Sequence, residues 1–263
     1  MKSAILFGPF IGSLEWELYR FAPHVNYLSK ETSKHKIIVL TRQERFDLYG
    51  QYANILVPLR IGSKDIEEYQ ERYSLKTIDP KVYKSIGLFF YNKYKSRYKI
   101  SHHIYPTIEN SMHLLKWQNL RHQMNYNFKP RNKNVELVKN INKDVFLDLS
   151  NVDSDEKKMY IFNILDNFDY SFIDSDEVDK KVDVEVDSSK LGCTICLIKK
   201  CKFVIGNIES PISHLAILLK KPLISFGSKL TDDEIHLLNP LKTRIIQTNN
   251  LKRRKLYEDI IRK

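Results

Sequence analysis

The residues with the strongest chemical pattern lie in one segment of the second half of the chain, 201–227. An apolar run leads into Gly206 and Asn207, two residue types that accept sharp turns and positive φ. Ser210 and Pro211 then suit the cap and the first position of a helix. A helix that begins where a buried strand ends presents N–H groups and a partial positive charge. The segment therefore predicts a strand, an anion-binding turn, a helix and a second strand that hold a phosphorylated ligand.

In this segment Glu209-Ser210 is followed by His214-Leu215-Ala216, then by Lys221-Pro222 and a strand that ends in Phe226-Gly227. This spacing resembles the carboxyl-terminal signature of GT-B glycosyltransferases, most closely that of the heptosyltransferases (glycosyltransferase family 9). In that family the turn and the helix start hold the diphosphate of a nucleotide-sugar donor. The resemblance implies the following donor-binding residues: Gly206, Asn207, Glu209, Ser210 and His214. Glutamate replaces the family's usual aspartate at 209, and Pro211 replaces a glycine and removes one N–H.

A second glycine turn follows the first apolar run of the chain. The resemblance assigns Gly8, Gly12 and Trp16 to the acceptor-binding loop of a GT-B enzyme. A sugar hydroxyl needs a carboxylate or an imidazole to take its proton, and Glu17 is our prediction for that general base. The alternative is that Glu15 and Glu17 complement the dipole of a helix start. The segment is also loosely similar to uncharacterised glycosyltransferase-like proteins of phages and other viruses.

The elements that position the first turn form an α/β pattern. Predicted strands cover 3–7, 36–40 and 55–58, and apolar residues spaced by three and four predict a helix over 14–28. A strand, glycine turn, helix and strand in this order form the βαβ unit of a parallel sheet, with the turn at its carboxyl edge. The region 63–126 is predicted to be helical and basic, with 88–91 as its one candidate strand.

A second α/β pattern follows a polar, proline-containing candidate linker at 128–134. Its predicted strands are 144–149, 170–173, 203–205, 223–226 and 245–246, and its predicted helices are 155–165, 190–200, the one capped by Ser210, and one from 251. The fold class is therefore α/β, and the resemblance implies two Rossmann-like domains facing a cleft. An N-terminal acceptor domain with extra helices covers 1–130, and a C-terminal nucleotide-sugar domain covers 140–263.

Two metal patterns compete with this interpretation. Asp174-Ser175-Asp176 resembles the DxD motif of GT-A enzymes. It is followed by an acidic loop, however, in which two aspartates one residue apart are expected by chance. Cys193 and Cys196, with Cys201, lack a nearby fourth ligand for zinc and sit in an apolar helical pattern, which favours packing. The scattered histidines (His102, His103, His113 and His122) are interpreted as surface or groove residues. No metal site is predicted.

The chain carries a formal net charge of +11, so it attracts polyanions in general. Lysines and arginines alternate with Tyr91, Tyr94 and Tyr98, and a basic cluster follows at 252–255. Such a pattern suits nucleic-acid binding, and it equally suits a solvated amphipathic helix. No apolar run is long enough to span a bilayer, and the odd cysteine count in a chain of this length favours the cytoplasm.

The resemblance implies a metal-independent glycosyltransferase that moves a sugar from a nucleotide-sugar to an acceptor hydroxyl, with no further cofactor. The acceptor stays open between a glycan, a lipid-linked sugar and a modified nucleic acid. Two alternatives remain: a nucleic-acid-binding or non-catalytic protein of the same fold, and another α/β enzyme that uses phosphorylated substrates.

Overall fold

The computed structural model describes residues 1–12, 14–59, 80–105, 124–149, 155–167, 170–175, 178, 190–226, 231, 235 and 239–247. The chain divides into two compact units. The first consists of Met1–Val135 with Glu185–Gly192, and the second of Glu136–Val184 with Cys193–Lys263.

A four-stranded parallel sheet forms the centre of the first unit. Its strands are β1 (Lys2–Phe7), β2 (Lys36–Thr41), β3 (Ile55–Pro58) and β4 (Tyr98–Ile104), in the order β3-β2-β1-β4. β1 and β2 are apolar along nearly their whole length and bury residues on both faces, as parallel strands do. The strands predicted at 3–7, 36–40 and 55–58 are confirmed.

Helical segments surround this sheet. A short α1 (Leu14–Trp16) passes through one π-helical segment (Glu17–Phe21) into α2 (Ala22–Glu31). A 3₁₀ segment (Gln43–Leu48) follows β2, and α3 (Pro80–Lys95) precedes β4. The division between the units falls within α4 (Asn132–Leu137). Much of the middle region, at 60–79 and 106–123, lies outside the described residues.

The structure corrects two predictions for the middle of the chain. The candidate strand 88–91 lies inside α3, because Ile86, Phe90 and Tyr94, spaced by four, pack one helical face on the core. Tyr98, predicted to share a helix with Tyr91 and Tyr94, instead begins β4. β4 is an edge strand with polar residues along it, so its sequence lacks the apolar run that predicts a buried strand.

The candidate linker 128–134 is packed against the first unit. Phe128 is fully buried. The backbone N–H of Arg131 donates to Asp47 at 2.9 Å, and its guanidinium pairs with the same carboxylate at 2.7 Å. Gly50, at φ +37°, lies so close to the Lys129 carbonyl that a Cβ would come within 1.5 Å of that oxygen. The segment is therefore held by specific contacts and is not a loose connection.

A five-stranded parallel sheet forms the centre of the second unit. Its strands are β5 (Val145–Asp148), β6 (Phe172–Asp174), β7 (Phe203–Asn207), β8 (Leu223–Phe226) and β9 (Ile245–Gln247), in the order β6-β5-β7-β8-β9. The helices are α5 (Asp155–Asn167), α6 (Lys190–Lys200) and α7 (Pro211–Leu218). Two parallel sheets, each with its helices, confirm the α/β fold class. The helix predicted from 251 lies outside the described residues.

The core of the second unit explains why its pattern was readable from the sequence. Strand residues Val145, Leu147 and Ile205 pack with the helix residues Ile161 and Leu165 in one apolar cluster. Val145 and Leu147 are two positions apart, as on one face of a strand, and Ile161 and Leu165 are four apart, as on one face of a helix. None of the helices in the described part of the chain is long and apolar enough to cross a membrane.

Candidate functional site

The carboxyl edge of the second sheet brings three elements into contact. Asp148 ends β5 and lies in register with Gly206 of β7. A Cβ on Gly206 would lie 2.8 Å from Ser213 Oγ and 3.2 Å from Asp148 Cβ. Glycine at 206 therefore allows β5, β7 and the first turn of α7 to converge on one point. Open α/β folds bind ligands at this edge.

Ser210 joins the helix start to the strand end. Its backbone is extended (φ −76°, ψ 139°), and its hydroxyl oxygen accepts the Ile212 N–H at 3.1 Å, so the predicted N-cap is confirmed. The same hydroxyl donates a short hydrogen bond to Asp148 Oδ2. Ser210 and Asp148 are both almost fully buried. Sequence reasoning missed Asp148, although an acid directly after a buried strand in a parallel sheet is a usable signal.

The turn between β7 and α7 is shaped by Asn207. Its side-chain oxygen accepts the Glu209 N–H at 3.0 Å, and its carbonyl accepts the Ser210 N–H at 3.0 Å. Glu209 is exposed and Asn207 half-exposed, whereas His214 is buried in the first turn of α7. The structure thus brings Gly206, Asn207, Glu209, Ser210 and His214 together within one turn of chain. Their roles in donor binding stay predictions.

The start of α7 has an altered set of hydrogen-bond donors. Pro211 carries no N–H, and the Ile212 N–H is used by Ser210. The Ser210 N–H already donates to the Asn207 carbonyl at 3.0 Å. An anion placed here meets the helix dipole, but several N–H groups that a free helix start would offer are absent or used within the protein.

In the first unit, Glu17 lies at the centre of a buried polar cluster. Its Oε1 accepts hydrogen bonds from Thr41 Oγ1 at 2.6 Å and from the Tyr49 hydroxyl. Its Oε2 accepts Arg45 Nη1 at 2.8 Å, and the Glu17 side chain is 0% exposed. Burial raises the pKa of the Glu17 carboxyl, and the Arg45 guanidinium opposes that rise. The same desolvation raises the pKa of Tyr49 far above its usual value.

This cluster holds the Gly8–Gly12 turn. Arg45 Nη1 also donates to the Gly12 carbonyl at 2.7 Å, and Arg42 donates to the Ile11 carbonyl at 3.3 Å. Glu17 therefore orients Arg45, one of the two arginines that contact the turn. Its own oxygens are occupied by three donors in the interior, which is the geometry of a positioning residue. The role of general base stays a prediction for Glu17.

The turn itself is fixed at the carboxyl edge of the first sheet. The N–H of Gly8 donates to the Ile104 carbonyl at 2.8 Å, and the N–H of Phe10 donates to the Leu40 carbonyl at 2.9 Å. Gly8 has φ +98°, and a Cβ there would lie 2.5 Å from Leu40 O, so this position requires glycine. The peptide bond to Pro9 is cis. The side chain of Trp16 lies outside the described part of the structure.

His103 is a second titratable group at this turn. Its Nε2–H donates to the Gly8 carbonyl at 2.9 Å, which leaves the Nδ1 lone pair available in the neutral ring. The imidazole stacks on Tyr105 with a centroid distance of 4.0 Å. Burial lowers the pKa of His103. The sequence offered no signal for this contact, because β4 was not predicted.

The alternative metal patterns do not assemble into a cluster in the described residues. Asp174 ends β6, and Ser175 donates to it at 3.4 Å, while Asp176 lies outside the described residues. Cys193, Cys196 and Cys201 are buried, as packing residues would be. Among the residues that the structure describes, no group of three His, Cys, Asp or Glu side chains comes together.

Comparison with solved structures identifies the fold. A glycosyl transferase family 9 protein from Veillonella parvula matches with a TM-score of 0.55 at 11% identity, covering 98% of this chain and 89% of that one. ADP-heptose lipopolysaccharide heptosyltransferase II from E. coli matches with a TM-score of 0.52 at 12% identity, covering 99% and 98%. E. coli heptosyltransferase WaaC with ADP matches with 0.52 at 9%, covering 98% and 97%.

The sequence matches no family model and no curated protein. The three structures named above are bacterial, and they lend no support to the resemblance to viral proteins. The structural likeness extends over nearly the whole chain, including both parallel sheets and the segment 203–226. This chain therefore has the GT-B fold of the heptosyltransferase-like glycosyltransferases.

Proposed function

We propose that this protein is a glycosyltransferase that binds a nucleoside-diphosphate sugar at the carboxyl edge of its second sheet. One observation carries the proposal: the heptosyltransferase-like motif lies at that edge, where Asp148, Gly206 and Ser210 converge. The helix start supplies positive potential for a diphosphate. The exposed carboxylate of Glu209 suits hydroxyl groups of a ribose or a sugar, because an ionised carboxylate only accepts hydrogen bonds.

ADP-linked sugars are the first donors to test. The related E. coli structures include one with ADP and one with ADP-2-deoxy-2-fluoro heptose, and the second covers 99% of this chain at a TM-score of 0.52. We extend that donor class to this chain as a hypothesis, with the sugar itself left open. The proposal includes no divalent cation, because the partial positive charge of the helix start acts on the leaving diphosphate.

In the proposed reaction an acceptor hydroxyl oxygen bonds to the anomeric carbon of the donor sugar. The bond from that carbon to the diphosphate oxygen breaks, and its electron pair leaves with the nucleoside diphosphate. A base removes the hydroxyl proton. We assign the acceptor to the Gly8–Gly12 turn and propose His103 as its base, because the His103 imidazole contacts that turn. Glu17, the base predicted from the sequence, has no exposed surface, so in that role it would first have to become accessible.

A thermal-shift panel of ADP-, UDP-, GDP- and CMP-sugars, each with and without EDTA, tests the proposal. A ligand present at 100 times its Kd stabilises the fold by about 2.7 kcal/mol, which is readily measured as a rise in Tm. We expect one nucleotide class to raise the Tm, and the Ser210→Ala variant to lose that rise. The rise should persist in EDTA.

The sheet offers a matched control at its opposite edge. Ser171 donates to Asp144 at 2.8 Å, which is also a serine–aspartate pair but precedes β5 and β6. Ser171→Ala should keep the ligand-induced rise in Tm. If no nucleotide-sugar raises the Tm, the proposal fails. A rise with free nucleotides and none with their sugars favours a different phosphate-using enzyme.

A further inference from the structure

An apolar patch is exposed on α3 of the first unit. Leu88 is 57% exposed and Phe89 is 64% exposed. The opposite face of this helix packs on the core through Ile86 and Phe90. Burying a leucine or phenylalanine side chain is strongly favourable, so two adjacent exposed ones indicate a surface that meets another apolar phase.

Basic residues surround the patch. The residues from 84 to 99 include no aspartate or glutamate. Their basic members, all exposed, are Lys84, Lys93, Lys95, Arg97 and Lys99. Lys84 precedes Leu88 by one helical turn, and Lys93 follows Phe89 by one turn, so cations lie on both sides of the apolar pair. The patch therefore complements a surface that is both anionic and apolar.

The packing of the tyrosines indicates whether the patch on α3 binds a nucleic acid or a lipid surface. Tyr91, Tyr94 and Tyr98 pack against the apolar core of the first unit. Tyr91 also stacks on His103 with an interplanar angle of 7°. A single-stranded nucleic acid needs exposed ring faces for its bases, and these rings are already in use. Leu88, the aliphatic member of the exposed pair, has no ring to stack on a base. Its transfer from water is most favourable into a hydrocarbon phase.

We propose that α3 docks this protein on the surface of an anionic lipid bilayer. Leu88 and Phe89 enter the boundary between headgroups and acyl chains, while Lys84 and Lys93 contact lipid phosphates and carboxylates. Binding of this kind is peripheral. The inference does not depend on the proposed transferase activity, since it uses only surface residues of the first unit.

Co-sedimentation of the full chain with vesicles tests the inference. Vesicles of phosphatidylcholine alone are compared with vesicles that also contain phosphatidylserine, at low and high salt. We expect binding to the anionic vesicles at low salt and weaker binding at high salt. The double variant Leu88→Ser/Phe89→Ser should lower the partition coefficient at least about tenfold. Lys84→Glu/Lys93→Glu should lower it by a similar factor.

Matched surface variants provide the controls. Met159 is also 57% exposed, so Met159→Ser removes an apolar side chain of equal exposure from the second unit. Lys30 and Lys34 are exposed in the first unit, so Lys30→Glu/Lys34→Glu makes the same charge change elsewhere. Both controls should bind anionic vesicles as the wild type does.

Three results would overturn the inference. The first is that the wild type does not bind anionic vesicles at low salt. The second is that Leu88→Ser/Phe89→Ser binds as tightly as the wild type while its Tm is unchanged. The third is binding to a single-stranded oligonucleotide, measured by fluorescence anisotropy, that is tighter than binding to anionic vesicles and that the same double variant abolishes.

Discussion

The structure changes the chemical interpretation of Glu17 more than that of any other predicted site residue. A carboxylate in the first helical turn after a glycine turn predicts either a base or a dipole partner. The structure surrounds it with Thr41, Arg45 and Tyr49, and none of its surface is exposed. Thr41 ends β2, Arg45 lies in the 3₁₀ segment after it, and Tyr49 follows that segment, so only the tertiary fold reveals these partners.

Replacing Glu17 tests this environment. Glu17→Gln leaves Arg45, a residue only 5% exposed, without its carboxylate, so we expect the free energy of unfolding to fall by about 3–5 kcal/mol. Glu136→Gln is the control, because its pair with Lys139 is exposed and should change stability by less than about 1 kcal/mol. Denaturant titrations measure both. A Glu17→Gln variant as stable as the wild type but without turnover would instead support the general base.

His103 gives a prediction on pH. Burial lowers its pKa in the folded state, so below pH 6.5 the unfolded chain binds more protons than the folded one. The free energy of unfolding should therefore rise as pH increases towards 6.5, and the contribution is complete above that value. His103→Gln keeps a donor for the Gly8 carbonyl and should flatten this part of the profile.

Denaturant titrations at several pH values from 5 to 8 provide the measurement. His102→Gln is the control, because His102 is exposed on the same strand. An unchanged pH profile in His103→Gln would show that another group sets the slope.

At the scale of elements, the contact of Gly50 with Lys129 gives a prediction on the free energy of unfolding. Gly50→Ala places a Cβ 1.5 Å from the Lys129 carbonyl oxygen, and the backbone there has positive φ. Backbone atoms cannot move aside as a flexible side chain can, so we expect a loss of about 3 kcal/mol or more in unfolding free energy. Gly12→Ala is the milder comparison, because the nearest atom is a ring carbon of Phe10 at 3.1 Å. Equal stabilities for both variants would contradict the packing of 128–134.

Elements were predictable where full burial requires an uninterrupted apolar run in the sequence. β1, β2, β5, β7 and β8 are short apolar runs in the interior of parallel sheets, and α6 was predicted with its observed bounds. β4 was not predictable in this way. It lies at the edge of its sheet and contains Ser101, His102 and His103, whose polar side chains hide the strand pattern.

The candidate site was likewise predictable only where local residue preferences determine it. The Ser210 cap and the turn before it follow from local residue preferences, so the sequence located them. The Asp148–Ser210 bond and the Glu17 cluster join residues far apart in the chain, through pairings that local patterns do not encode. Sequence reasoning therefore found the turns and missed their partners.

At the scale of the whole molecule, the two units contribute separate surfaces. The second unit carries the proposed donor edge at Asp148, Gly206 and Ser210, and the first carries the Gly8–Gly12 turn. The net charge of +11 is concentrated in part on the acid-free surface of α3 and β4. Low salt should therefore strengthen binding to anionic vesicles through this surface. The donor's Kd should change less, because Ser210 and His214 of the donor site are buried.

Photo-crosslinking with an azido-nucleotide sugar reports where on the chain the donor binds. We expect label on peptides from the second unit that carry the ends of β5 and β7 and the start of α7. Excess unlabelled donor should remove the label, and Ser210→Ala should reduce it while Ser171→Ala should not. Label confined to the first unit, or label that unlabelled donor does not displace, would contradict donor binding at the carboxyl edge of the second sheet.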